Sequence, residues 1–103
     1  DNQTLISWFE TISDEEQRLV RGYLCDEYTP SENLHLPLIS VLMMSIAKIC
    51  IIPIQDYLGY KDDTRINVPS TLGTNWRWRL KETDLSDELK KTVLNITRRY
   101  GRT

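Results

Sequence analysis

The sequence predicts an α/β chain, mostly α-helical by itself, with one short parallel-type strand over residues 49–54. Three observations predict it. Apolar residues recur at helical spacing near both ends of the chain. Ile49-Cys50-Ile51-Ile52-Pro53-Ile54 is short, β-branched and apolar on both alternating faces, the pattern of a strand buried on both sides of a parallel sheet. The helix expected just before it, Leu38 to Ala47, is apolar nearly all round and must be covered on most sides.

The elements follow in order. Leu5, Trp8, Phe9 and Ile12 fall at i, i+3, i+4 and i+7 on one helical face, with Asn2 or Thr4 available as cap. Ser13-Asp14-Glu15-Glu16 reads as a capping box opening a second helix that buries Leu19, Val20, Tyr23 and Leu24. Its acidic first turn suits the helix dipole. Residues 25–35 are loop-like, and Pro37 suits the first turn of the third helix. The strand over 49–54 needs neighbours to satisfy its backbone groups, and no second convincing strand is present. Gln55-Asp56 arrives where this strand ends, the place where α/β folds put binding and catalytic groups. Residues 59–75 are loop-rich. Leu89, Val93, Ile96 and Tyr100 mark a closing helix, capped near Ser86 or Asp84 and stopped by Gly101.

Composition narrows the function. At 103 residues the chain is at most one small domain with a thin margin of stability. A net charge of -2 argues against a nucleic-acid partner and gives no reason for an anionic membrane. The longest apolar stretch, Leu36 to Ile54, is broken by Pro37, Lys48 and Pro53, so no membrane span is expected. Cys25 and Cys50 read as reduced and buried. With a single histidine, His35, and no Cys/His cluster, no structural zinc site is expected. Asp62-Asp63 lacks the spacing of a calcium loop and reads as a solvated turn. Trp76-Arg77-Trp78-Arg79 lacks a basic background and reads as a packed layer of rings and cations. Neither Asn2-Gln3-Thr4 nor Asn95-Ile96-Thr97 gains weight as a glycosylation sequon without a secretory signal.

Four motifs, in order and in register, carry a resemblance. Asp1-Asn2-Gln3-Thr4, followed by Trp8, resembles a His-Asp-Asn-Asp-Thr segment without its histidine. Gln55-Asp56-Tyr57-Leu58-Gly59 resembles Gln-Asp-x-Leu-Gly, and Arg65-Ile66-Asn67-Val68-Pro69 with Thr71 resembles Arg-x-Asn-x-Pro-x-Thr. Asn75-Trp76-Arg77-Trp78-Arg79 resembles Asn-Trp-x-Trp-Arg. Together they resemble the amylomaltase family of 4-α-glucanotransferases, glycoside hydrolase family 77, over nearly the whole chain.

The resemblance implies that residues 1–103 are the C-terminal segment of a (β/α)8 TIM barrel, one partial domain, with 49–54 as the eighth strand. It implies a retaining double displacement on α-1,4-glucan (maltodextrin), with no organic cofactor and no metal, in which a sugar hydroxyl intercepts a covalent glucosyl-enzyme. By motif position Asp1 is the carboxylate that stabilises the transition state, and Asn67 contacts the sugar. Gln55 and Asp56 orient loops by hydrogen bonds. Gln3 stands where the commoner motif has Asp, so that position has lost a charge. The nucleophile and the acid/base lie upstream of this segment, which alone is expected to be inactive, and the parent enzyme is expected in the cytoplasm. The isolated segment is expected to self-associate through its barrel-facing surface. The alternative reading, a non-catalytic helical interaction module, accounts for the apolar third helix but not for the Gln-Asp pair.

Overall fold

The computed structural model describes residues 3–45, 47–65 and 78–102. Among the described residues there are five helices: α1 Leu5–Thr11, α2 Asp14–Leu24, α3 His35–Met43, α4 Ile54–Tyr57 and α5 Asp87–Arg99. Single 3-10 turns stand at Ser31–Asn33, Asp62–Thr64 and Glu82–Asp84. α3 is central, packing on α1, α2, α4 and α5.

Local chemistry sets the boundaries. Thr4 caps α1, its side chain accepting from Ser7 N–H. Ser13 and Glu16 exchange the two bonds of a capping box at α2, as their spacing predicts. α2 ends on Cys25 in the left-handed region, φ 54°, with its N–H bonded to the carbonyls of Arg21 and Gly22. Asp26 then closes the turn, accepting from Thr29 N–H at 3.0 Å and Thr29 O–H at 2.6 Å. α3 begins two residues before Pro37, so the missing proline N–H falls in the first turn, where no intrahelical partner exists. Ser86 caps α5 by accepting from Leu89 N–H, and Gly101 ends it at φ 67°.

The core is two small clusters. Ile6, Phe9 and Leu34 pack with Ile12, Val20, Leu24 and Leu38; Ile39, Met43 and Ile96 pack with Leu36, Cys50, Ile52 and Tyr57. Arg21 lies over the Phe9 ring at 5.5 Å. Arg102 ties the two ends of the second cluster, donating to the carbonyls of Met43, Ser45 and Ala47 at 2.9 Å each.

Several expectations are corrected. No strand forms among the described residues. Residues 49–53 are irregular and α4 opens at Ile54 after Pro53. The physical reason is the one the sequence itself raises: a ladder needs a partner, and among the described residues there is no strand for these to pair with. One face is nevertheless seated, Cys50 and Ile52 packing on the core while Ile49 and Ile51 are 79% and 85% exposed. The segment is thus covered on one side rather than two. In α2, Leu19 and Tyr23 are exposed rather than buried, because α1 and α3 cover only the Val20–Leu24 side. α3 stops at Met43 rather than Ala47, where Arg102 donates to the Met43 carbonyl. Cys25 is exposed and Cys50 half-buried, both as free thiols. Of the Trp-Arg run, Trp78 meets Tyr60 edge-on with ring centroids 6.3 Å apart; Trp76 and Arg77 lie outside the described residues.

Candidate functional site

The densest buried polar cluster sits where α4 and the Asp62–Thr64 turn meet the first turn of α1. Pro53, at φ -58° and ψ 144°, starts α4 without wasting a donor. Gln55 and Asp56 follow at once and are buried, 9% and 8% exposed. Gln55 closes the 55–64 loop on itself. Its side-chain amide donates to Thr64 C=O at 3.1 Å, and its own carbonyl accepts from Tyr60 N–H at 2.9 Å. Gly59 makes the reversal at φ 73°, and a Cβ there would stand 2.9 Å from His35 Nδ1, so both space and backbone demand glycine.

Two carboxylates from this loop reach the start of α1. Asp56 Oδ1 accepts from Leu5 N–H at 2.8 Å across 51 residues of sequence. Asp62 Oδ1 accepts from Thr4 N–H at 2.9 Å, and its other oxygen accepts from Gln3 Nε2 at 3.4 Å. Asp62 N–H in turn donates to Ser7 Oγ at 2.8 Å. The first amides of a helix have no intrahelical partner and carry partial positive charge, so anionic acceptors are favoured there. Lys61 adds an exposed ion pair with Glu10 at 3.0 Å.

Burial pushes the Asp56 carboxyl above its ordinary range, against the lowering effects of Leu5 N–H and of His35. Burial likewise holds His35 below its ordinary value, opposed by a backbone bond to Glu32 and by the Asp56 charge. Outside this cluster, the Asp84 hydrogen bond raises the Tyr60 phenol and lowers the Asp84 carboxyl.

An open pocket of about 470 Å³ lies over the cluster. Gln3, Thr4, Gln55, Asp56 and Arg65 form its polar wall; Leu42, Ile51 and Ile52 form its apolar one. Amide, carboxylate and guanidinium side by side make a surface that can donate to and accept from neutral hydroxyl groups. Among the described residues no group of three or more His, Cys, Asp or Glu side chains could hold a metal ion. No described helix is long and apolar enough to cross a membrane.

Of the residues singled out from sequence, Gln55 and Asp56 are brought together here, beside Thr4. Asp1 and Asn67 lie outside the described residues. Sequence reasoning missed Asp62: it reads as a solvated turn, yet it is half-buried and makes three hydrogen bonds, to Gln3 and Thr4 just before α1 and to Ser7 in its first turn. No local spacing announces a contact between groups 58 positions apart.

Comparison with known proteins agrees along the chain. A family model described as 4-alpha-glucanotransferase matches residues 1–86. The sequence is 39% identical over 103 residues to the 4-alpha-glucanotransferase of Synechocystis sp., covering 99% of this chain and 20% of that protein. It is 37% identical over 105 residues to the chloroplastic/amyloplastic 4-alpha-glucanotransferase of Solanum tuberosum, covering 99% and 18%. The fold matches amylomaltase from Streptococcus agalactiae, solved in complex with acarbose, with TM-score 0.89 and 30% identity over 99% of this chain and 20% of that one. The chain thus spans about a fifth of the length of the curated relatives it matches.

Proposed function

The chain belongs to the 4-alpha-glucanotransferase family, and we propose on that ground that it forms one wall of such a transferase's glucan site. In this reading residues 1–103 close a (β/α)8 barrel, with 49–54 taking the place of its eighth strand. The alternation of seated Cys50 and Ile52 with exposed Ile49 and Ile51 supports it, since a barrel strand presents one face to each side. The substrate is an α-1,4-glucan such as a maltodextrin, and the setting is cytoplasmic. One carboxylate attacks the anomeric carbon, a second gives and then takes a proton, and a sugar hydroxyl replaces water as acceptor. In this reading both of those carboxylates lie upstream of this segment.

This segment's part is binding and stabilisation. Asp1 stabilises the positive charge that develops at the sugar, and Asn67 contacts a sugar hydroxyl. Gln55 and Asp56 hold the loops that carry them. The carrying observation is the 2.8 Å bond from Leu5 N–H to Asp56, which ties the residue after the first resembling motif to the second motif across 51 residues. The competing reading, a helical interaction module, would want 49–54 in a helix, and only Ile54 is.

The test is transfer from maltotriose. In a full-length transferase carrying this segment, Asp1→Asn should lower kcat by on the order of 1,000-fold, the scale for losing one well-placed electrostatic group. The 103-residue chain alone should yield no longer maltodextrins, because the covalent route is missing. Transfer by the isolated chain above a blank, or full activity of the Asp1→Asn enzyme, defeats the proposal.

A further inference from the structure

We propose that Gln3 binds the glucan directly: its side-chain amide, held in place by Asp62, hydrogen-bonds a sugar hydroxyl in the pocket it lines. The proposal deepens the glucan reading above and rests on it.

The pocket over the buried cluster measures about 470 Å³, within the ~300–1,000 Å³ usual for small-molecule sites. Its two walls match the two characters of a sugar. Leu42, Ile51 and Ile52 offer carbon to the C–H face, and the polar wall offers donors and acceptors to the hydroxyls. Most of that polar wall is already committed. Asp56 is buried and accepts from Leu5 N–H. Gln55 is buried and donates to Thr64 C=O. The Thr4 hydroxyl accepts from Ser7 N–H. Arg65, its side chain 14% exposed, stands 3.9 Å from the Asp62 carboxylate. Gln3 is different. It is exposed, and one of its two amide donors reaches Asp62 Oδ2 across a long 3.4 Å. Among the described residues nothing takes its second donor or its carbonyl oxygen. An amide with one donor engaged is both oriented and available.

Charge decides the class of ligand. Each charge on this wall is answered within the protein: Asp56 by Leu5 N–H, Asp62 by Thr4 N–H and by Arg65. Gln3 adds one donor and one acceptor without charge, the pairing that a hydroxyl group needs. That suits a neutral polyol rather than an ion. Asp62 also favours an amide over an acid at position 3. A carboxylate there would face the Asp62 carboxylate at about the same 3.4 Å, and like charges so close disfavour each other's ionised form. The charged side chains of the 55–65 segment are Asp56, Lys61, Asp62, Asp63 and Arg65. Of its two cations, Lys61 already holds Glu10 and Arg65 already faces Asp62.

The experiment uses the full-length transferase carrying this segment, with maltotriose as donor. Gln3→Ala should raise KM about fivefold, the scale of one neutral hydrogen bond. Its kcat should stay within about twofold, as for a contact made equally in the ground and transition states. Gln3→Glu keeps the length and the acceptor but sets a carboxylate beside Asp62. Its KM should exceed the parent's at neutral pH. The ratio of the two should fall as pH is lowered and the pair of carboxyls takes up a proton. Adding Asp62→Asn to Gln3→Glu should remove that pH dependence. A merely structural Gln3 would shift the melting temperature and leave the KM ratio flat with pH. A Gln3→Ala enzyme with the parent's KM overturns the proposal, and so does a Gln3→Glu enzyme whose KM ratio ignores pH. If the parent enzyme makes no longer maltodextrins, the glucan reading fails and takes the proposal with it. If the parent transfers normally and Gln3→Ala matches it, only the role of Gln3 fails.

Discussion

Asp56 keeps its carboxylate out of water, 8% exposed, with the Leu5 amide as its hydrogen-bond donor. Burial raises its pKa, so the folded chain binds this proton more tightly than the unfolded chain does. The sign follows by linkage: between the ordinary carboxyl value and the raised one, stability falls as pH rises, and the ionised group is a burden at neutral pH. Its bond to Leu5 acts the other way. Asp56→Ala should therefore lose about 2 kcal/mol by stranding the Leu5 amide, the usual size for a bond to a charged acceptor. Asp56→Asn retains an acceptor and sheds the buried charge, so at neutral pH it should match or exceed the parent. That advantage should shrink as pH falls through the raised Asp56 value, where the parent becomes neutral as well. Amide exchange at Leu5 reads this locally. Equal loss of protection in the Asn and Ala variants would refute it.

At the scale of elements, the Arg102 fork joins α5 to the end of α3. Three carbonyls, of Met43, Ser45 and Ala47, converge on one guanidinium. Carbonyls at a helix C-terminus lack intrahelical donors and carry partial negative charge, so a cation there is doubly suited. Arg102→Ala should cost about 2 kcal/mol in urea denaturation, and Arg102→Lys should restore less than half, since an ammonium cannot reproduce the planar fork. A lysine variant as stable as the parent would show that charge alone suffices. Nothing in the order of residues announces this fork, whose contacts lie 55 to 59 positions apart. By contrast the helices were legible, because their causes are local. Ser13 and Glu16 are three residues apart, and Leu89, Val93 and Ile96 repeat along one face. The same divide runs through the site. Gln55 and Asp56 stood out as polar residues after an apolar run, while Asp62 was hidden by a contact no short window contains. The strand over 49–54 failed for a related reason. Its β-branched pattern is local, but the ladder that would make it a strand is not.

At the scale of the molecule, the surface is out of proportion to the mass. The chain exposes 7600 Å², about a quarter more than the ~6,000 Å² of a compact monomer of its size. Its radius of gyration of 14.6 Å likewise exceeds the ~13 Å expected for a compact domain of this length. Trp8, Leu19, Tyr23 and Leu42 stand partly or largely exposed along one groove between α1, α2 and α3, which has almost no polar lining. Ile49 and Ile51 stand exposed on the unpaired segment. Exposed apolar surface of this kind is costly to leave in water. The isolated chain should therefore self-associate, and sedimentation velocity at ~100 μM, where micromolar affinities already populate dimers, should show species heavier than 12.1 kDa. Leu19→Lys with Tyr23→Lys places two charges in the groove without touching the buried clusters. That variant should shift towards monomer with an unchanged far-ultraviolet helix signal. A parent chain that sediments as a clean monomer at this concentration would mean that the exposed apolar groove needs no cover.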